Sequence, residues 1–124
     1  MKKSNNKLAL LVAFTIPLSA HADINASAGC KANPAVVGQC KSVKGTIALH
    51  NGTPSIRIHL DKSKRVLGVI PAENEIMPQD LKEEISFEQS VHAQLLVCQL
   101  SPRRTGTMQS VCVESASNIK LVKP

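Results

Sequence analysis

The sequence predicts an all-β domain with one short helix, a small five-stranded OB-like barrel of order β-β-β-α-β-β. Three observations predict it. Residues 40–70 alternate apolar and polar side chains with period two, interrupted by short polar turns. Residues 78–85 change to helical spacing. The runs V-H-A-Q-L-L-V-C-Q-L and M-Q-S-V-C-V-E, joined by S-P-R-R-T-G-T, then read as a closing hairpin.

The first strand starts at Cys40, where Val43, Gly45, Ile47 and Leu49 alternate with Ser42, Lys44, Thr46 and Ala48. His50-Asn51-Gly52-Thr53-Pro54 ends it, because Asn-Gly accepts the positive φ angles of a tight hairpin turn. In the second strand Ile56, Ile58 and Leu60 share one face while Arg57 and His59 share the other. A polar turn, Asp61 to Lys64, leads to a third strand from Arg65 to Ile70, with Gly68 as a bulge or a point of close backbone approach. Pro78 suits the first turn of a helix reaching Ile85, with Leu81 and Ile85 on one face. Folding the last hairpin about Thr105 sets Cys98 opposite Cys112. The tail carries Ile119, Leu121 and Val122, enough for a short edge pairing.

The domain organisation follows. Lys2, Lys3 and Lys7, the apolar run Leu8–Leu18 and Ala20-His21-Ala22 have the layout of a secretory signal peptide over residues 1–22. That run is too short to cross a bilayer, and no other stretch is longer, so no transmembrane segment is expected. An irregular arm over 23–39, a barrel over 40–118 and a tail over 119–124 complete the chain. Residues 23–124 suit a single core. Without the three leader lysines, twelve basic residues stand against nine acidic, so the mature chain is only mildly basic.

All four cysteines lie beyond the leader, which predicts two disulfides and a periplasmic or secreted location. Three pairings exist. Cys98–Cys112 with Cys30–Cys40 is preferred because each closes a short loop; the competing arrangement joins Cys40 to Cys98 or Cys112. A lipidated Cys30 after Ser27-Ala28-Gly29 is a poorer reading, since it would leave Cys40 without a partner. No C-x-x-C spacing supports a metal site, and no cofactor is expected.

The segments C-K-S-V-K-G-T-I-A-L-H-N-G-T-P-S-I-R-I, R-V-L-G-V and G-T-M-Q-S-V-C-V-E-S-A-S-N are similar to a set of small exported bacterial proteins that share an N-G-T-P-x-x-R-I and M-Q-x-V-C-x-E-S-A pattern. The likeness covers most of Cys40–Asn118. It implies no activity and no site residues.

Function is therefore argued from chemistry. No nucleophile, base and orienting group occur in a recognisable setting, and the acidic pairs Glu83-Glu84 and Glu73-x-Glu75 sit in a solvated connection, so an enzyme is not expected. Single-strand nucleic acid is not expected either, because stacking needs aromatic side chains and Phe87 is the only one after the leader. The remaining candidate is a basic surface. Arg57, His59, Arg65, Arg103, Arg104 and His50 are expected to converge on the face of strands two and three with the first and last hairpin loops. Arginine forks suit carboxylate or phosphate groups, which predicts a non-catalytic module for an acidic protein or glycan. Two other readings stand beside it: an inhibitor or immunity protein that inserts the 101–106 loop into an envelope enzyme or toxin, and a structural accessory.

Overall fold

The computed structural model describes residues 29–70 and 77–123. The expected leader, the arm up to residue 28 and the acidic segment 71–76 lie outside them. Five strands carry the fold: β1 (Lys41–Leu49), β2 (Ile56–Leu60), β3 (Val66–Val69), β4 (Ser90–Gln99) and β5 (Gln109–Val122), with the helix α1 (Gln79–Glu84) between β3 and β4. They close into a barrel in the order β1-β2-β3-β5-β4, with β1 also paired to β4. Every seam is antiparallel except β3 with β5, which is parallel. This is the OB-like arrangement expected from the sequence.

The apolar phase of each strand fills the interior. Ile47, Ile58, Val91 and Leu95 are fully buried, joined by Leu67, Val69, Val111 and Val113. Alternation thus becomes a core by the pleat alone, each large side chain contributing about 1.5–3 kcal/mol on burial. Pro78 precedes α1, and Met77 and Leu81 enter the same core. Because α1 joins the end of β3 to the start of β4, it closes one end of the barrel. The other end is formed by the starts of β1, β3 and β5 and the ends of β2 and β4.

One turn differs from expectation. Asn51-Gly52 does not form a two-residue hairpin. The connection spans residues 50–55, with the His50 amide donating to the Ser55 carbonyl at 2.6 Å and Gly52 at φ 104°. The edge pairing expected of the tail is present as a continuation of β5, which runs through Val122 and pairs Leu121 with Val91 and Val122 with Ser90. Gly68 is a close-approach point, as expected: a Cβ there would lie 2.5 Å from Pro54 Cγ and 3.0 Å from Met108 Sδ.

The register sets Cys98 opposite Cys112, yet these two are not bonded to each other. The disulfides are Cys30–Cys112 and Cys40–Cys98, which replaces the preferred local pairing and realises the competing link from Cys40 to the last hairpin. Directly opposed residues hold their Cβ atoms about 4.5–5.5 Å apart, wider than the ~3.8 Å a disulfide favours. Each sulfur instead meets a cysteine of the segment before β1, residues 29–40, which crosses the outer face of β4 and β5. There Cys30, Cys98 and Cys112 are fully buried in a second small core, against which the partly buried Val36, Cys40 and Leu100 pack. The Val37 amide donates to the Gln99 carbonyl at 2.8 Å and the Lys31 backbone amide to Glu114 Oε1 at 2.8 Å, fastening the arm at two levels. With its sulfur in a disulfide, Cys30 is no lipid attachment point.

Candidate ligand-binding mouth

At the barrel end away from α1, β1, β4, β5 and the residue just before β3 each place a polar side chain in the inward phase. Lys41 is in phase with Val43, Arg65 with Leu67, Gln99 with Val97, and Gln109 with Val111. These positions ring a cavity of about 290 Å³ whose floor is Val43, Leu60, Leu67, Val97 and Val111, and Arg103 reaches it from the β4–β5 loop. A second hollow of about 380 Å³ adjoins it, lined by Lys64, Arg65, Val66, Arg103, Arg104 and residues 105–109. Arg65, Arg103 and Gln109 belong to both, so the two form one continuous mouth. No acidic residue lines either hollow.

The mouth is partly preorganised. Arg65 donates from Nη2 to Gln109 Oε1 at 2.7 Å, and Gln109 donates from Nε2 to the Ser101 carbonyl at 2.9 Å. Ser101 Oγ accepts the Ser110 amide at 2.9 Å, and the Leu100 amide donates to the Ser110 carbonyl at 2.8 Å. These bonds hold the root of the β4–β5 loop against β3. Among the described residues, no side-chain hydrogen bond or ion pair engages Lys41, Lys64, Arg103 or Arg104. Their donors are available to a ligand.

The six residues expected to converge divide into two groups. Arg65, Arg103 and Arg104 come together at the mouth. Arg57, His59 and His50 line neither hollow, because Arg57 and His59 lie on the outer face of β2 while Arg65 follows the inward phase of β3. The first and last loops do meet over β3, but through Pro54 and Met108 above Gly68, an apolar contact rather than a basic one. Arg57 turns back to donate from Nε to the Pro54 carbonyl at 2.9 Å. His50 and His59 lie with Nε2 atoms 2.9 Å apart. Burial, then the neighbouring His59 and Arg57, hold the His50 imidazole below the usual histidine range.

Lys41, Lys64, Gln99 and Gln109 were not singled out from the sequence. Their signal was nevertheless present, at least for Lys41, Gln99 and Gln109: a long polar side chain at the apolar phase of a strand terminus marks a barrel rim. The third described histidine, His92, pairs from Nε2 with Asp61 Oδ2 at 2.9 Å on the outer surface. The sulfurs of Cys30, Cys98 and Cys112 lie within 4.8 Å of one another, but all are in disulfides and offer no thiolate to a metal. Comparison with protein-family models, curated proteins and solved structures finds no match to this chain.

Proposed function

We propose that the chain is an exported, non-catalytic binding module that receives an acidic group of a protein or glycan at the open mouth of its barrel. The observation that carries this reading is the convergence of Lys41, Arg65 and Arg103 on an apolar floor, with Lys64 and Arg104 on the adjoining wall. Cations at a concave, partly desolvated site bind anions more strongly than the same charges scattered over a flat surface. The apolar floor favours a ligand that presents a carboxylate, sulfate or phosphate beside an apolar group. Two disulfides support an oxidising compartment such as the periplasm or the exterior.

Titration calorimetry with poly-L-glutamate and with dextran sulfate tests the reading. Binding of at least one probe is expected, weakening as salt rises from 50 to 500 mM. The Arg103→Ala/Arg104→Ala variant is expected to bind roughly 10²-fold more weakly, from about 1.5–3 kcal/mol per charge-assisted hydrogen bond lost. Binding indifferent to both salt and the two arginines would sink the proposal.

One observation favours an inhibitor or immunity role as a second reading. Both stems of the β4–β5 loop are pinned, by Cys40–Cys98 on one side and Cys30–Cys112 on the other, while residues 102–107 are exposed. A rigid projecting loop loses little entropy on insertion into an enzyme cleft. Co-purification with an envelope hydrolase, abolished by shortening residues 102–107, would favour this reading over the first. A purely structural accessory is less well supported, because it gives the concave mouth no role.

A further inference from the structure

His50 leaves the end of β1, and His59 stands on the outer face of β2 opposite Thr46. Between them on that face is Ala48, paired with Arg57. Their Nε2 atoms lie 2.9 Å apart, with ring centroids 5.0 Å apart and planes inclined by 46°. Two neutral imidazoles can share one proton in an N–H···N bond. When the donor ring instead carries its proton on Nδ1, both rings stay neutral and each Nε2 has a lone pair that a small ring rotation can turn toward one ion.

We infer that His50 and His59 form a two-imidazole clamp for a divalent transition-metal ion that favours right-angled coordination, Cu(II) or Ni(II). The distance argues for the angle. With metal–nitrogen bonds of about 2.0–2.1 Å, nitrogens 2.9 Å apart subtend about 90° at the metal, whereas a tetrahedral angle needs a separation of about 3.3 Å. Right angles belong to tetragonal Cu(II) and Ni(II) sites rather than to tetrahedral zinc. The remaining coordination positions face solvent and are left to water or to a donor from a partner.

Arg57 has a definite part in this. Its guanidinium lies beside the pair, with Nε held by the Pro54 carbonyl, so it repels a dication as it repels a proton on His50. Removing that charge should therefore strengthen metal binding, an effect a simple hydrogen-bonded histidine pair would not produce.

The experiment is calorimetric titration of the untagged mature chain with CuSO4, NiCl2 and ZnCl2 at neutral pH, with electron paramagnetic resonance of the Cu(II) form. One Cu(II) per chain is expected at this site, with superhyperfine coupling to two imidazole nitrogens. His50→Ala and His59→Ala should each weaken binding by roughly 10²-fold, the gain from joining two donors in one clamp. His92→Ala should leave it unchanged, and Arg57→Gln should tighten it. Nickel is expected to bind at least as well as zinc. The inference is overturned if the His50→Ala/His59→Ala double variant binds Cu(II) as tightly as the parent chain, or if the spectrum shows fewer than two nitrogens. Zinc bound more tightly than nickel would overturn the right-angled assignment. Circular dichroism of each variant verifies that the barrel is retained, as expected for changes at the outer surface.

Discussion

Replacing Cys40 and Cys98 together by Ser tests the cross-linking of the arm to the barrel. That bond closes 58 residues and Cys30–Cys112 closes 82, but the loops are nested. While Cys30–Cys112 remains, the shortest covalent route from Cys40 to Cys98 runs ten residues back to Cys30, across the bond, and fourteen residues back from Cys112. The ring opened by the substitution thus spans 10 + 14 = 24 residues rather than 58. Chain-entropy closure of such a ring is worth about 3.4 kcal/mol at 25 °C, and loss of both bonds about 8 kcal/mol. A domain of this size has roughly 5–15 kcal/mol in total. The variant with one bond lost should therefore fold with a Tm lowered by about 15–25 °C, while the variant lacking both should have little or no folded population. Far-UV circular dichroism during guanidinium titration is the suitable assay, since the chain has no Trp or Tyr. In a non-reducing tryptic digest, peptide 32–41 should leave attached to peptide 83–103, and the Cys30 peptide attached to 105–120. A stability loss under about 1 kcal/mol, or a digest joining 83–103 to 105–120, would refute the reasoning.

Two further substitutions probe the fold. Gly68→Ala places a methyl 2.5 Å from the Pro54 ring, so either the β1–β2 loop or β3 must shift; a loss of about 1–3 kcal/mol is expected, measured by the same denaturation. Leu81→Ala removes the fully buried side chain of α1 from the closed end and should cost about 2–5 kcal/mol while leaving the anion binding proposed for the opposite end unchanged.

The strand order was legible because each inward phase is nearly uninterrupted: Val43 to Leu49, Ile56 to Leu60, and Leu67 with Val69 state their faces without reference to any partner. The helix was legible from Pro78 and the spacing of Leu81 and Ile85. Disulfide pairing was not, because it depends on where the arm lies over β4 and β5, and no local pattern in residues 29–40 encodes that path. For the candidate site, Arg103 and Arg104 could be assigned to a loop at once. Their union with Arg65 rather than with Arg57 turns on a single residue of phase, since neighbouring strand positions face opposite sides of the sheet. The proximity of His50 and His59 was hidden for another reason. His59 pairs with Thr46, four residues before His50, which lies beyond the last paired residue of β1, so the strand pattern alone does not bring the two rings together.

The pairing of the first cysteine with the last, and of the second with the third, also bears on how the molecule is made. Under the exported reading proposed above, the chain presents Cys30 and Cys40 together as it emerges from a translocation pore, long before Cys98 or Cys112 arrives. An oxidase acting on thiols as they appear would join the first two, ten residues apart, and that product must be undone by thiol exchange before the native links can form. Maturation is therefore expected to depend on a disulfide isomerase, and cells lacking one should accumulate the misoxidised chain.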